Sequence, residues 1–416
     1  MPEKPSKEDL TTLFQNHVSS AKARFFTMLG MDLIIEGREG IWIEDLESGR
    51  RLINLHCNGG VYNLGHNHPE LCRVLGENIG RLDIGNSHLI SRERALLASE
   101  LAALMPADLD YVLFGVSGGE AVDLAIKVAR GYTRRDGIVS ASGGYHGHTG
   151  LALAAGDPKY RDPFRSSSPG FVQIPFDDES VLEDAITEKT AAVLLESIPA
   201  TLGIVVPAER YLKAVRRRCD QVGALLILDE VQAGLGRTGK MWAFEHFDVL
   251  PDIVVLGKGL SGGLYPLTAT VIRKPLESVF HLDPFVHVST FGGAELGCAV
   301  TRRVLEITAD FEFLVHVNMR AQDFKTLVQA IAVKHQDFLV DFHQKGLMMG
   351  LVTNSEISGP LLCKAAFDCG LLMVYANNAP QVCQFLPPLI ISESEAGLVA
   401  ERLEEAITLA KTMGPS

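Results

Sequence analysis

A lysine, Lys258, stands directly after the apolar run IVVLG at residues 253–257 and is followed by a loop of glycines and other small residues. A charged side chain at this place can be a solvated amine at the edge of a sheet. It can also be an amine positioned to react, because a lysine amine forms a Schiff base with a carbonyl group. This stretch alone leaves both interpretations open.

Two acidic residues end another apolar run. Asp229 and Glu230 follow ALLIL at residues 224–228. A carboxylate at the end of a buried strand is costly unless it meets a cation or a hydrogen-bond donor. No His or Cys set at metal-ligand spacing accompanies the pair, so we predict no metal site. The nitrogen of a pyridinium ring is the other partner that could satisfy Asp229.

Two glycine-containing stretches have the composition of anion sites. Ser117, Gly118 and Gly119 open a predicted helix, where free N–H groups and the helix dipole attract an anion. An ordinary strand-to-helix turn would have the same sequence. Residues 234–240, GLGRTGK, match the first part of a nucleotide-binding P-loop, but Met241 stands where the magnesium-binding Ser or Thr is required. The second stretch therefore argues against an ATPase.

Aromatic and acidic residues follow two further apolar runs. Tyr145 and His146 come after GIVSAS at residues 137–142, where a ring could stack on a planar ligand or cap the core. Glu196 ends AAVLLE at residues 191–196. A solvated carboxylate at the strand tip is the simplest interpretation of Glu196.

The predicted strands and helices that position these residues alternate regularly along the chain. From about residue 95, short apolar runs alternate with amphipathic helical stretches. Such alternation indicates an α/β fold with a mainly parallel sheet and helices on both faces. Ligands bind beyond the carboxyl ends of the strands in these sheets, so the candidate residues should meet at one edge. Pyridoxal phosphate (PLP) requires a lysine, an acidic partner for the pyridinium nitrogen and a phosphate site, and this edge supplies all three.

The two chain ends are predicted to form a second, smaller α+β unit. The chain after about residue 310 is helix-rich with a strand at 371–376, and residues 40–55 predict a hairpin. We predict an N-terminal arm and part of the small domain over residues 1–57, a large domain over 58–310 and a C-terminal small domain over 311–416.

Bulk composition restricts the function classes. The 416 residues carry a net charge of −13 with a pI near 5.5, so we expect no nucleic-acid partner. The 7 cysteines are scattered without a CxxC pair, which indicates reduced thiols in a cytoplasm. The N-terminus lacks the apolar core of a signal peptide, and no apolar run approaches the ~20 residues that cross a bilayer. These features predict a cytoplasmic location and no membrane contact.

Several motifs in this order resemble the class III, ornithine- and acetylornithine-aminotransferase-like PLP enzymes of fold type I. The resemblance runs from about Gly40 to Pro388 and implies a seven-stranded sheet, a PLP cofactor and a homodimer with shared active sites. The motifs that carry it are NLGHNHPE (63–70), SGGEAVDLAIKVAR (117–130), YHGHT (145–149), LDEVQAGLGRTG (228–239), GKGLSGGLYP (257–266), STFGG (289–293) and GLMMG (346–350).

The resemblance also implies roles for individual residues. Lys258 would form the Schiff base with PLP and move the proton, and Asp229 would keep the pyridine nitrogen protonated. Gln232 would contact the phenolic oxygen of the ring. The remaining roles are stacking by Tyr145 with His146 beside it, a polar network under the ring from Glu196, phosphate binding by Ser117, Gly118 and Gly119, and contact between Thr290 and the phosphate of the neighbouring subunit.

The chain departs from the family mainly on the substrate side. Gly119 stands where the family usually has a hydroxyl residue. Arginines that grip carboxylates are replaced by His148 and Gln384, and the gating glutamate by Thr201. His343 replaces a further arginine. Neither glutamine nor neutral histidine binds a carboxylate bidentately. We therefore hypothesise a substrate that is not a dicarboxylic amino acid, although other residues could bind the carboxylates instead.

The main prediction is an aminotransferase that moves an amino group from a small-molecule donor to a carbonyl acceptor. A racemase, epimerase or decarboxylase on the same scaffold is the alternative, because these reactions share the Schiff base and differ in which bond breaks. A non-catalytic member of the family is a third interpretation, and the intact Lys258, Asp229 and Gln232 argue against it.

Overall fold

The computed structural model describes residues 5–166 and 168–413. Within them the chain forms fifteen strands, fourteen α-helices and five 3-10 helices. The strands are β1 Ile35–Glu39, β2 Trp42–Asp45, β3 Arg51–Asn54, β4 Leu109–Gly115, β5 Gly137–Ala141, β6 Phe171–Ile174, β7 Thr190–Glu196, β8 Leu225–Asp229, β9 Ile253–Leu256, β10 Thr268–Arg273, β11 Leu339–Lys345, β12 Met348–Thr353, β13 Leu371–Leu372, β14 Val374–Ala376 and β15 Ala379–Phe385.

The α-helices are α1 Lys7–His17, α2 Ser20–Met28, α3 Cys57–Gly60, α4 Pro69–Asn78, α5 Arg92–Ala103, α6 Gly118–Thr133, α7 Gly150–Ala154, α8 Pro158–Arg161, α9 Leu182–Ala185, α10 Glu209–Val222, α11 Glu295–Thr308, α12 Phe311–Lys334, α13 Ser358–Asp368 and α14 Glu393–Met413. The 3-10 helices are Asp162–Phe164, Glu179–Val181, Ala243–His246, Lys258–Ser261 and Lys274–Phe280.

Seven strands form the central sheet, in the order β4-β10-β9-β8-β7-β5-β6. The pairs from β6 to β9 are parallel, whereas β10 is antiparallel to both β9 and β4. Successive side chains of β7 enter two cores: Val193 and Leu195 pack on one face, and Ala192 and Leu194 pack on the other. The α/β class and the mainly parallel seven-stranded sheet are therefore confirmed.

The chain ends meet in two smaller sheets. One is antiparallel, in the order β11-β12-β15-β14, and α12, α13 and α14 supply its apolar core. In the other, the order is β1-β2-β3-β13, and the parallel pair of β13 with β3 joins the C-terminal segment to the N-terminal one. The predicted hairpin over residues 40–55 is confirmed as β2 and β3. The domain boundaries at residues 57 and 310 stay predictions; residues 1–4 and 414–416 of the predicted end segments lie outside the described residues.

Three further sequence-based expectations concern membrane-spanning helices, metal sites and cysteines. No helix in the described part of the chain is long and apolar enough to cross a membrane. The same residues contain no cluster of three or more side chains that could hold a metal ion. All seven cysteines are free thiols.

Candidate active site

Lys258 begins a 3-10 helix just after β9, and its amine forms a hydrogen bond with the side-chain amide of Gln232. Lys258 Nζ donates to Gln232 Oε1 over 2.6 Å. The backbone of Lys258 has a φ of +46°, which is uncommon outside glycine, and its carbonyl accepts from the Ser261 hydroxyl at 2.7 Å. Burial lowers the pKa of Lys258, and the charges of Asp229 and Glu196 offset part of that decrease. The amine is therefore more easily deprotonated than a solvated lysine.

Asp229, the last residue of β8, is buried and bonded on both carboxylate oxygens. Oδ1 accepts from the Val231 N–H at 3.0 Å, and Oδ2 lies 2.9 Å from His146 Nδ1. Burial lowers the pKa of His146, but the hydrogen bond and charge of Asp229, with the charge of Glu196, outweigh it and raise this pKa. A protonated His146 is thus stabilised beside the aspartate.

Glu196 lies next to Asp229, because their strands pair in parallel with these two residues opposite each other. Its Oε1 accepts from the Tyr145 N–H at 2.8 Å, which anchors the loop after β5. Burial raises the pKa of Glu196 to about 7, although the charges of His146 and Lys258 lower it. The carboxyl group therefore takes up a proton near neutral pH.

Two buried polar atoms in this cluster have no hydrogen-bond partner in the described part of the chain, Gln232 Nε2 and His146 Nε2. Buried donors are rarely left unsatisfied, so an orphaned pair beside a reactive amine indicates space meant for a polar ligand. The two atoms, the Lys258 amine and the Asp229 carboxylate match the polar groups of a pyridine aldehyde, so the residues fit PLP.

The loop between β4 and α6 carries the predicted anion site. Ser117 caps α6 by accepting from the Glu120 N–H at 3.2 Å, and the helix starts at Gly118. Gly119 is buried, whereas Ser117 is exposed. The Glu120 carboxylate accepts from the Val116 N–H at 2.7 Å and from the Ser289 hydroxyl at 2.6 Å.

Thr290 is a predicted site residue that no contact among the described residues connects to the cluster around Lys258. Its side chain is exposed and has no hydrogen bond to a described residue. It follows Ser289, which is tied to Glu120 at the start of α6. Several exposed apolar side chains share its loop: Leu282, Phe285, Val286, Val288 and Phe291.

Residues 27–407 match the sequence model of the class-III aminotransferases. The chain belongs to the class-III aminotransferase family. It is 52% identical over 404 residues to an uncharacterized aminotransferase of Archaeoglobus fulgidus, covering 97% of this chain and 95% of that protein. It is 34% identical over 365 residues to the putrescine aminotransferase of Pectobacterium atrosepticum, covering 85% of this chain and 78% of that protein.

Solved structures of the family have the same fold. The ornithine aminotransferase of Toxoplasma gondii superposes with a TM-score of 0.90 at 25% identity, covering 99% of this chain and 97% of that one. The N-acetylornithine aminotransferase of Stenotrophomonas maltophilia superposes with a TM-score of 0.80 at 30% identity, covering 94% of this chain and 100% of that one. These relatives are named as aminotransferases, which favours the main prediction over a racemase or decarboxylase.

The four substrate-side positions at which this class-III aminotransferase differs from the family pattern have different surroundings. His148 is exposed, and its Nδ1 lies 3.1 Å from the Tyr145 hydroxyl. Thr201 donates to the Gly143 carbonyl at 2.9 Å, and His343 Nδ1 lies 2.7 Å from the Gly203 carbonyl. Gln384, on β15, is buried, and its side-chain amide has no hydrogen bond to a described residue.

Sequence reasoning missed two groups of residues around this aminotransferase site. A Cβ atom on Gly59 would lie 3.2 Å from Lys258 Nζ, so the loop after β3 packs directly on the amine. The glycines in CNGG, directly after an apolar strand, are the signal that could have identified this loop. Tyr160 and Asn378 lie near His148: the Tyr160 ring is edge-on to the imidazole, and its hydroxyl lies 3.5 Å from Asn378 Oδ1. No sequence signal connects these two, because they belong to segments more than 200 residues apart.

Proposed function

We propose that this class-III aminotransferase uses PLP and that at least one of its substrates is an amine, aldehyde or ketone rather than a dicarboxylic amino acid. The observation that carries the proposal is the Lys258 amine, bonded to Gln232 Oε1 at 2.6 Å, beside the unpartnered Gln232 Nε2. When bound, PLP supplies an electron sink for the carbanion that forms when the amino-bearing carbon loses its proton.

Lys258 would bind the cofactor covalently and act as the proton carrier. Burial lowers the pKa of this amine, so a neutral nitrogen is available to accept a proton from the substrate carbon and return it. Gln232 Oε1 holds the amine in place, and the close packing of Gly59 leaves it little freedom to move. A small positional error of a catalytic group reduces rates strongly, so this restraint favours catalysis.

Asp229 would hold the proton on the pyridine nitrogen, and His146 would hold the aspartate in position. The hydrogen bond between Asp229 Oδ2 and His146 Nδ1 orients the carboxylate. Glu196 lies beside the pair with a pKa of about 7, so its proton limits the negative charge under the ring. Tyr145 would stack on the ring, and Ser117, Gly118 and Gly119 would bind the phosphate.

The substrate side supports the choice of a less charged substrate. No arginine stands at the positions of His148, Thr201, His343 or Gln384, and arginine is the side chain that binds a carboxylate bidentately. The relatives named above include a putrescine aminotransferase, and putrescine is a diamine without a carboxylate. An amine of that kind is compatible with the neutral amide of Gln384.

We also propose a homodimer in which Thr290 contacts the phosphate of the partner subunit. The exposed apolar residues around Thr290 support this, because contiguous exposed apolar surface is typical of protein interfaces. Free thiols and the absence of a membrane-spanning helix in the described residues are compatible with a cytoplasmic enzyme. Sedimentation analysis that finds only monomers at active concentrations would contradict the shared site.

A donor screen with the purified enzyme tests the proposal. The enzyme is mixed with single amino acids, diamines or monoamines in the absence of an acceptor. We expect one diamine or monoamine to shift the visible absorbance band of the cofactor and to release one equivalent of carbonyl product. Release of carbon dioxide, or an inverted enantiomer without carbonyl product, would instead support the decarboxylase or racemase alternative. Efficient turnover of ornithine with 2-oxoglutarate would contradict the proposed substrate class.

A further inference from the structure

The loop between β5 and α7 carries Tyr145, the residue proposed to stack on the cofactor, and its backbone is held on both sides of a turn. The Tyr145 N–H donates to Glu196 Oε1 at 2.8 Å. Two residues earlier, the N–H of buried Gly143 donates to Asp157 Oδ1 at 2.8 Å. Gly143 has a φ of +79°, and a Cβ atom there would overlap the side chain of Leu202. The position of Gly143 therefore decides where the chain turns toward Tyr145.

The carbonyl group of Gly143 accepts hydrogen bonds from two side chains. Thr201 Oγ1 donates to it at 2.9 Å, and Asn378 Nδ2 donates to it at 2.6 Å. A carbonyl oxygen has two lone pairs and can only accept, so both acceptor sites are used. For the same reason, the amide nitrogen of Asn378, rather than its amide oxygen, faces Gly143.

Asn378 reaches Gly143 from a different sheet. It lies on the turn between β14 and β15 of the small antiparallel sheet, whereas Gly143 follows β5 of the central sheet. The Asn378 N–H donates to the Thr201 carbonyl at 3.0 Å, and the carbonyl of the preceding Asn377 accepts from Lys159 Nζ at 2.8 Å. Because the backbone of the turn is fixed by these bonds, the amide of Asn378 is directed at the Gly143 carbonyl.

The two ends of the Asn378 side-chain amide differ in the strength of their contacts. Its oxygen lies 3.5 Å from the Tyr160 hydroxyl, which is the outer limit of a hydrogen bond. Its nitrogen forms the shorter contact with the buried Gly143 carbonyl. A buried acceptor that loses a donor is costly, so the loop would move to find another partner. Such a movement starts only two residues from Tyr145.

We propose that Asn378 is a positioning residue that holds the Tyr145 ring in place for stacking on the cofactor. It acts through the Gly143 carbonyl and itself contacts neither the cofactor nor the substrate. The inference rests on the proposed function, since the ring is positioned against PLP. Asn378 thereby connects the small antiparallel sheet to the cofactor side of the site.

Titration of the cofactor-free enzyme with PLP in a double-mutant cycle tests the proposal. The four proteins are the unmodified enzyme, Asn378→Ala, Tyr145→Ala and the double variant. We expect Asn378→Ala to weaken PLP binding by about three-fold to ten-fold, and Tyr145→Ala to weaken it by about ten-fold or more. In the Tyr145→Ala background, Asn378→Ala should weaken PLP binding by less than about two-fold, because no ring is left to position.

A spectroscopic measurement and two further variants separate positioning from general packing. At saturating PLP, Asn378→Ala and Tyr145→Ala should change the circular dichroism of the visible cofactor band in the same direction. Asn378→Asp keeps the shape of the side chain but places a carboxylate oxygen against the Gly143 carbonyl, so it should weaken PLP binding at least as much as Asn378→Ala. Asn377→Ala is the matched control: it removes the exposed amide next to Asn378, keeps the carbonyl that is bonded to Lys159, and should bind PLP normally.

Two results would overturn the inference. Unchanged PLP affinity in Asn378→Ala would show that the loop does not need this contact. Equal weakening by Asn378→Ala in the presence and absence of the Tyr145 ring would show that the residue acts independently of the ring. If Asn378→Ala does not fold, the same cycle with Asn378→Asp gives the answer. If the unmodified enzyme bound no PLP, the proposed use of PLP would be wrong, and this outcome is distinct from the other two.

Discussion

The two sides of the candidate site hold their polar groups differently. On the cofactor side, His146, Glu196 and Asp229 are buried and each is bonded to a specific partner. On the substrate side, His148 is exposed, and Thr201 bonds only to a backbone carbonyl. A buried charge is costly without its partner, so a change that removes one member of the His146–Asp229 pair destabilises the fold. Exposed positions such as that of His148 tolerate replacement more readily, since no buried partner depends on them.

The largest effect is expected on the cofactor side, from Lys258→Ala. The variant loses the amine that is bonded to Gln232, so we expect turnover with the donor found by the screen to fall by at least about a thousand-fold. Lys240→Ala, which removes an exposed lysine bonded to a backbone carbonyl, should retain full activity. Residual turnover above about one tenth for Lys258→Ala would contradict the role of this amine.

Asp229→Asn tests the next contact on the same side. Asparagine cannot hold a proton on the pyridine nitrogen by charge, so we expect kcat to fall by roughly one hundred-fold to one thousand-fold. The pKa of His146, measured by NMR, should also fall, because its hydrogen bond and charge partner is removed. Glu230→Gln is the matched control: this buried neighbour bonds to Ser197 and to the Ala243 and Phe244 N–H groups instead, and its activity should stay within about three-fold.

The pH dependence of the free energy of unfolding reports the cost of burying the Glu196 carboxylate on the cofactor side. Burial raises the pKa of Glu196 from 4.5 to about 7. Between these values the folded state binds more protons than the unfolded state, so the carboxyl group destabilises the fold progressively as pH rises. The resulting decrease in the free energy of unfolding is complete above pH 7 and amounts to about 3 kcal/mol. In denaturant unfolding of the cofactor-free proteins, Glu196→Gln should have a higher free energy of unfolding than the unmodified protein. This difference should grow by about the same amount from pH 4.5 to pH 8. An equal gain at both pH values would contradict the shifted pKa.

The smallest expected effect lies on the substrate side. His148→Arg returns an arginine to an exposed position, where it adds one charged contact to a carboxylate substrate. We expect kcat/KM for 2-oxoglutarate to rise about ten-fold, which corresponds to about 1.4 kcal/mol. His148→Gln, which adds no charge, should leave this value unchanged. A similar rise in both variants would show that removal of the histidine, rather than the new charge, causes the change.

Strand ends were predictable from the sequence because an apolar run that meets a polar residue marks the edge of a buried sheet. Lys258 and Asp229 were identified in this way, and the structure brings them together. The simplest interpretation of Glu196, a solvated carboxylate at a strand tip, was wrong, because the residue is buried opposite Asp229. The same reasoning could not separate Asp229 from Glu230. Successive residues point in opposite directions at a strand end, and only the neighbouring elements decide which of them faces the site.

The order of the strands and the contacts between distant segments had no signal in the local sequence. The antiparallel strand β10 is short and follows a glycine loop, and its place between β4 and β9 depends on pairing partners far along the chain. The packing of Gly59 near the Lys258 amine joins two segments that are distant along the chain. Thr290 remains a prediction, since its proposed partner lies in a second subunit.

The amino-acid sequence by itself determined the fold class, the family and the chemistry of the reactive groups, because periodicity and residue type at strand ends are local properties. Only the tertiary structure decided which polar groups are satisfied. His146 Nδ1 is paired with Asp229 and Thr201 with the Gly143 carbonyl, whereas Gln232 Nε2 has no partner among the described residues. The physical reason is that a hydrogen bond depends on distance and direction between groups brought together from separate segments, and spacing along the chain encodes neither.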